Sequence, residues 1–255
     1  MFKVLSIAGS DPSGGAGIQL DLKTFHSLGA YGMAIPAALT VQNSRGVVGV
    51  KALSPGMLSK QLEALLSDIK PDAIKTGMLL TRENVRATAA AVIKFGIRGL
   101  VVDPVLRSSS GATLLQPAAL TVLKKYLFPL ALVITPNIPE AETLSNMSIT
   151  SGHDMDYAAG RLIDMGPAYV LIKGGHSRGP ATDTLYGGKT VLSFSTSRQK
   201  GAFHGTGCAL SSAIAVFIAQ GYPVEKAVEK SKQFVDRMLR SAKRVGKGGT
   251  KYFQF

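Results

Sequence analysis

A chain of 255 residues, 45% hydrophobic and 18% charged, with 28 glycines and one cysteine, is neither disordered nor fibrous and has no disulfide framework or cysteine-rich zinc site. Its length suits a single domain, residues 1–255, around one large core. The formal net charge of +13 suits an anionic substrate or a nucleic acid, but the basic residues gather between Lys226 and Lys251, interleaved with Glu225, Glu229 and Asp236, the pattern of a solvated helix face with a basic tail rather than of a nucleic-acid site.

The opening residues MFKVLSIAGS lack the basic and long apolar regions of a signal peptide, and no apolar run reaches the roughly 18 residues of a membrane span. A soluble, cytoplasmic protein with no membrane partner is expected. Residues 3–9 form an apolar run that reads as the first strand; a polar, glycine-rich loop from Ser10 to Gly17 follows, then the helical pattern IQLDLKTFHSLG. GGAGIQ does not satisfy G-x-G-x-x-G and no G-x-x-x-x-G-K-[ST] occurs, which disfavours a dinucleotide fingerprint and a P-loop. Asp21 lies in the first turns of that helix, where an acid complements the helix dipole.

Residues 31–43, YGMAIPAALTVQN, read as a second strand, and VVGVKAL as a short strand or flap. Ser54 is the expected N-cap of a helix with Pro55 at its first position. The unit then repeats, with strands at AIKTGML, LVVDPV, LVITPN and AYVLIKGG and helices at residues 81–96, 116–131, 139–146 and 154–166. Strands and helices that alternate in this way predict a mainly parallel sheet covered on both faces, and the near-continuous apolar strands agree. Ligands of such sheets collect beyond the carboxyl ends of the strands. The polar residues expected there are Asp11, Gln42, Asn43, Thr76, Asp103, Asn137, Glu140 and Lys173.

After VLIKGGH the pattern changes to two antiparallel strands, DTLYGG and KTVLSFSTS, turning at Gly187, Gly188 and Lys189. The stretch HGTGCALSSAIAVFIA, residues 204–219, opens a Gly-Thr-Gly turn into an apolar helix. Its start offers the amides of Gly207, Cys208 and Ala209 as a cradle for phosphate; the alternative is a glycine turn that merely begins a buried helix. Cys208 is either a small buried apolar residue or, at a helix N-terminus, a thiol with depressed pKa suited to accept a proton. A long amphipathic helix runs from Pro223 to about Ala242, and the glycine-rich end RVGKGGTKYFQF is expected to be mobile.

Phosphoryl transfer needs phosphates bridged by a cation, donors around the transferred group and an acceptor oxygen held in line. Asp103, Asn137 and Glu140 suit Mg²⁺ held through waters, and Lys173 suits neutralisation of phosphate. Each taken alone reads equally as a cap or loop hydrogen-bonder. His176 and His204 flank the same face, without metal-ligand spacing.

Together the stretches IAGSDPSGGAGIQLDLKTF, TVQN, IKTGML, DPV followed by SG, ITPNIPEAE, VLIKGGH, DTLYGG and HGTGC, in this order over nearly the whole chain, closely resemble the bacterial hydroxymethylpyrimidine/phosphomethylpyrimidine kinases of the ribokinase-like superfamily. The resemblance implies a three-layer αβα ribokinase-like fold with a mainly parallel central sheet. It also implies a homodimeric enzyme of thiamine biosynthesis that uses Mg²⁺ and ATP to phosphorylate 4-amino-5-hydroxymethyl-2-methylpyrimidine and then its monophosphate.

By the same resemblance Asp21 and Gln42 bind the aminopyrimidine, and Gly9, Met78 and Val105 line its pocket. The phosphate cradle falls on Gly205, Thr206, Gly207 and Cys208, with Cys208 as proton acceptor where related sugar kinases place an aspartate. The Mg²⁺ and phosphate group falls on Asp103, Asn137, Glu140 and Lys173. Two stretches depart from the family pattern. Leu106 to Ala112 lacks the lysine and acid of M-V-A-K-S-G-D, with Arg107 as the candidate replacement, and Gln199 to Phe203 stands where a Thr-x-Asn-Thr run is common. Two other readings stay open: a pyridoxal or pyridoxine kinase on the same scaffold, which Gln42 disfavours because a pyridoxal ring has no exocyclic amine to pair with it, and a non-catalytic ligand-sensing or nucleic-acid-binding relative.

Overall fold

The first apolar run forms β1 (Lys3–Ser10), and the pattern beyond the glycine-rich loop forms α1 (Gly17–Ser27). β2 (Tyr31–Asn43) and β3 (Gly46–Ala52) make an antiparallel pair. α2 (Pro55–Leu66) starts where the sequence places it: the Ser54 hydroxyl accepts the Met57 amide at 3.3 Å, and Pro55 occupies a first-turn position whose N–H has no helical partner. β4 (Ala73–Thr76), α3 (Arg82–Lys94), β5 (Leu100–Val102), α4 (Pro117–Val122), β6 (Val133–Ile134), α5 (Ile138–Ser145), α6 (Gly152–Ile163) and β7 (Tyr169–Lys173) continue the alternation. β8 (Ala181–Gly187), β9 (Thr190–Thr196), α7 (Thr206–Ala219), α8 (Val224–Ser241), β10 (Lys243–Arg244) and β11 (Lys251–Tyr252) complete the chain. This computed structural model describes residues 1–108, 110–174, 180–188 and 190–255; His176 and Lys189 lie outside the described residues.

Three expectations change in detail. The helix expected over residues 116–131 stops at Val122 and continues as a π turn, Leu123–Leu127, and a 3-10 turn, Phe128–Leu130. Pro129 has no amide to donate and its ring collides with the preceding turn, so an α-helix cannot pass through it. The runs LVVDPV and LVITPN are strands only to Val102 and Ile134, because Pro104 and Pro136 cannot donate to a ladder. The end of the chain, expected to be mobile, is docked: β10 pairs with β11, the His204 amide donates to Lys251 O at 2.9 Å, the Lys251 amide donates to Ala202 O at 2.8 Å, and Tyr252 and Phe253 are buried. Two apolar rings within a basic, glycine-rich segment are enough to seat it.

Among the described residues the main sheet has nine strands in the order β3-β2-β1-β4-β5-β6-β7-β8-β9. It is parallel from β2 to β7 and antiparallel at β2/β3, β7/β8 and β8/β9. Alternate side chains of the central strands enter different cores. Ile74, Val102 and Ile134 pack with α2 to α6, whereas Ala73, Val101 and Val133 pack with α1, α7 and α8. That is the period of two expected of a strand buried on both faces, and it gives the three-layer αβα architecture that the sequence implies. No helix among the described residues is long and apolar enough to cross a membrane.

Candidate active site

Polar residues emerge where β1, β4, β5, β6 and β7 end, and α7 begins above them. Gly205, the residue before α7, has φ +79, and a Cβ there would overlap the Gly15 carbonyl oxygen and the Leu20 side chain. Only glycine permits this close approach of the α7 start to the loop before α1. The Ala209 amide is taken by Gly205 O at 2.9 Å, so the open amides are those of Thr206, Gly207 and Cys208 rather than the expected set of Gly207, Cys208 and Ala209. A Cβ on Gly207 would stand 3.1 Å from Lys173 Nζ and 4.0 Å from Asp103 Oδ2. The positive end of α7 therefore sits directly over a charged pair.

That pair is Lys173 Nζ and Asp103 Oδ1, 2.8 Å apart. Thr135 Oγ1 also donates to Asp103 Oδ1 at 3.1 Å, and Ser211 Oγ to Oδ2 at 3.3 Å. Burial alone would push the Asp103 carboxyl up, but Lys173 and Lys75 together with these donors hold it below the ordinary aspartate value. Burial likewise opposes the charge of Lys173, and Asp103 with Glu140 more than offsets it, so the ammonium is favoured.

Asn137 and Glu140 form a capping box at the start of α5: Asn137 Oδ1 accepts the Glu140 amide at 2.9 Å, and Glu140 Oε2 accepts the Asn137 amide at 2.8 Å. The structure thus bears out the cap reading of these two residues. Burial, reinforced by the Asp103 charge and opposed by Lys173, pushes the Glu140 carboxyl up to about 7. Two buried carboxylates that raise one another's cost of ionisation fit a neighbouring cation. No cluster of three or more His, Cys, Asp or Glu side chains suited to a metal exists among the described residues.

Cys208 lies in the first turn of α7 and keeps part of its surface exposed. The expectation of a depressed thiol pKa is corrected. Burial, with added repulsion from Asp103 and Asp21, pushes it up to about 11, against the lowering effects of Lys75 and a hydrogen bond from the Gly17 backbone. Desolvation outweighs the helix terminus.

Beneath Cys208 lies a charged group that sequence reading missed. Lys75, within the apolar run of β4, has no exposed side-chain surface, and its Nζ stands 2.9 Å from both carboxylate oxygens of Asp21. Ser6 Oγ donates to Asp21 at 2.5 Å and Ser212 Oγ at 2.6 Å. Burial opposes the ammonium, but Asp21 first, then Cys208 and Asp103, hold its pKa above the ordinary lysine value. Asp21, expected against a substrate ring, is itself fully buried with both oxygens engaged; the structure places it under the site, joining α1, β4 and α7. Thr76, another expected strand-end residue, is buried with its hydroxyl unpartnered.

At the end of β1, a Cβ on Gly9 would overlap the Met78 methyl, so Gly9 is what admits that side chain. Met78 packs in a small apolar cluster that Val105 joins, which brings together the three residues expected to line a pocket. Gln42, half-buried near the end of β2, contacts His204 Nε2 at 3.0 Å and Thr40 Oγ1 at 3.2 Å. Asp11 is buried, accepts Ser13 N and Oγ at 2.8 and 2.7 Å, and faces His204 Nε2 at 2.9 Å. Although burial works against ionisation, the His204 and Ser13 contacts hold the Asp11 carboxyl below its ordinary value. Asn43 instead shapes the β2–β3 turn, accepting the Arg45 amide at 2.8 Å.

The two departures from the family pattern have visible surroundings. Arg107 is exposed and bridges to Thr113, at the root of a turn whose Ser110 reaches Val47 in β3. Phe203 bridges to Lys251, whose Nζ lies 5.6 Å from the Phe203 ring centre, so the variant stretch is tied to the end of the chain.

A family model described as phosphomethylpyrimidine kinase matches residues 11–252. The chain is 45% identical over 248 residues to the thiamine biosynthesis bifunctional protein ThiED of Geobacter sulfurreducens, covering 96% of this chain and 50% of that one, so it spans half the length of this relative. The crystal structure of phosphomethylpyrimidine kinase from Clostridium difficile is similar with a TM-score of 0.83 and 43% identity over 93% of this chain and 99% of that one. The pyridoxal kinase of Staphylococcus aureus in complex with AMP-PCP and pyridoxal is similar with a TM-score of 0.90 and 35% identity, over 99% and 93% of the two chains.

Proposed function

The chain belongs to the phosphomethylpyrimidine kinase family, and from that premise we propose that it transfers the γ-phosphoryl group of ATP to the hydroxymethyl oxygen of 4-amino-5-hydroxymethyl-2-methylpyrimidine, then phosphorylates the monophosphate, in thiamine biosynthesis. The observation that carries this reading is the placement of the open Thr206, Gly207 and Cys208 amides over the Lys173–Asp103 pair, within a chain matched by the family from residue 11 to 252. Relatives with bound AMP-PCP or ADP support a nucleoside triphosphate as donor.

In this reading the open amides and Lys173 stabilise the equatorial oxygens of the group in transfer, the part of phosphoryl chemistry that a protein can supply. Asp103, Glu140 and Asn137 would hold Mg²⁺ through waters; the ion supplies neutralisation of phosphate charge. Gly9, Met78 and Val105 wall the ring, and Gln42 offers an amide to its edge. Asp21 and Lys75 act from below, setting α1 against α7. Cys208 stands beside the acceptor hydroxyl. With its pKa at about 11, roughly one thiol in a thousand is ionised at about pH 8; that thiolate is the form able to take the hydroxyl proton, so turnover through Cys208 rises with pH toward that value.

The same reading takes the chain to be a cytoplasmic homodimer; Leu39, Val41 and Val48, exposed on the β2–β3 edge of the sheet, would supply the apolar surface for a second copy. No nucleic-acid partner is proposed: Lys226 pairs with Glu229 and Arg240 with Asp236 along α8, a solvated helix face.

A second reading, a pyridoxal kinase, is favoured by the structural likeness to the pyridoxal complex. ADP release by the purified chain with Mg²⁺-ATP, measured with the pyrimidine alcohol, its monophosphate and pyridoxal in turn, tests both. Turnover highest with the pyrimidine substrates is expected. A preference for pyridoxal overturns the substrate assignment, and no turnover with any of the three overturns the activity.

A further inference from the structure

His204 Nε2 faces two groups at once, Asp11 Oδ2 at 2.9 Å and the Gln42 side-chain amide at 3.0 Å. Ionised Asp11 only accepts hydrogen bonds, and its ionised form is favoured by the His204 and Ser13 contacts despite burial. The shared nitrogen must therefore carry a proton. A protonated Nε2 cannot also accept from the Gln42 NH₂ group, so the amide must turn its oxygen toward His204. Oxygen and nitrogen of a side-chain amide are assigned from such networks.

The other end of Gln42 agrees. Thr40 Oγ1 has one proton and lies 2.9 Å from Ser10 O and 3.2 Å from the Gln42 amide. Spending that proton on the Ser10 carbonyl leaves Oγ1 as an acceptor for the Gln42 NH₂. Each of these contacts then joins a donor to an acceptor: His204 N–H to Gln42 Oε1 and Asp11, one Gln42 N–H to Thr40, Thr40 O–H to Ser10. One lone pair on Oε1 and one N–H on Nε2 remain, in a fixed order.

We propose that His204, held by Asp11, fixes the orientation of the Gln42 amide and thereby the order of acceptor and donor shown to a ring in the site, which makes His204 a specificity-determining positioning residue. This rests on the reading of Gln42 as a ligand of the substrate ring. An aminopyrimidine presents an exocyclic N–H beside a ring-nitrogen acceptor, which matches the remaining lone pair and N–H only in one order. A pyridine alcohol without the amine cannot use both. A free amide would lose part of that discrimination by turning over.

Asp11→Asn is the discriminating variant, because it keeps the shape and the oxygen that accepts from Ser13, yet places an NH₂ group against His204. Nitrogen-15 NMR of the full-length protein reads the His204 tautomer directly. The wild type is expected to carry the proton on Nε2 and the variant on Nδ1. The ratio of kcat/KM for the pyrimidine alcohol to that for pyridoxal is expected to fall by about tenfold or more in Asp11→Asn and in His204→Phe, mainly through KM for the pyrimidine, as for one lost hydrogen bond of specificity. His204→Gln, which restores an N–H donor, is expected to recover part of the ratio. An Nδ1–H tautomer in the wild type, or a switched tautomer with an unchanged ratio, overturns the proposal. Absence of turnover by the wild type with either alcohol strikes the functional reading instead, and the tautomer then decides the proposal alone.

Discussion

Lys75 and Asp21 face each other at 2.9 Å, and neither side chain has any surface exposed to water. A pair this deep is costly to assemble and more costly to halve, because the remaining charge has no partner and no solvent. Lys75→Met is expected to lower unfolding stability by about 3–5 kcal/mol. In Lys75→Met/Asp21→Leu the loss should be smaller than in the single variant, though incomplete, since Ser6 and Ser212 then lose their acceptor. Urea unfolding of the wild type and the two variants measures this; equal or additive losses would contradict a coupled pair.

The same ammonium bears on Cys208. With burial holding the thiol at about 11, its alkylation by iodoacetamide is expected to be slow near neutrality and to rise about tenfold per pH unit through the range below that value. Lys75 lowers the thiol pKa, so Lys75→Met should slow alkylation further at every such pH. A rate that is already flat by pH 8 would mean an ionised thiol and a different electrostatic balance. In turnover, Cys208→Ala is expected to lose about a hundredfold in kcat, as for other removed proton acceptors, with KM for the alcohol little changed.

Why some of this was legible before the structure, and some not, follows from the range of the interactions involved. β2 spans residues 31–43, the bounds expected of it, because apolar alternation and the flanking glycine and asparagine are local. The Ser54 cap and Pro55 start of α2 are equally local. The Asp21–Lys75 pair joins residues 54 positions apart; its one sequence signal is a lysine inside an otherwise apolar strand, which names no partner. The direction of the Cys208 shift depended on burial and on Asp103, neither visible from a helix start alone. The docked end was hidden because its glycines and lysines outnumber the two rings, Tyr252 and Phe253, that seat it.

Gly205 should tolerate no side chain. Its φ of +79 is costly for any residue with a Cβ, and that atom would meet the Gly15 carbonyl. Gly205→Ala is expected to cost about 1–2 kcal/mol from the backbone conformation alone, with more from the overlap. Because relief requires the α7 start to move away from α1, kcat should fall as well. Thermal unfolding together with ADP release checks both, and an unchanged melting temperature would contradict the close approach.

The end of the chain reaches the site through His204 and the glycine loop. The Tyr252 ring lies edge-on to His204 with centres 5.3 Å apart, and a Cβ on Gly15 would overlap both rings. Gly248 N–H donates to Ser44 at 3.0 Å, tying the hairpin to the turn between β2 and β3. These contacts reach His204, which touches Gln42, and the turn that follows Gln42, whereas none of them touches Lys173 or Asp103. Ending the chain after Ala242 should therefore act unequally on the two substrates. KM for the pyrimidine alcohol is expected to rise by about tenfold with KM for ATP nearly unchanged, the pattern of lost substrate positioning rather than lost transition-state contacts. Loss of the buried Tyr252 and Phe253 surfaces should also lower the melting temperature, so Tyr252→Ala in the full chain separates the two effects: it removes the ring against His204 while leaving Phe253 and the hairpin in place. A rise in both Michaelis constants together would mean that the tail acts through general stability alone.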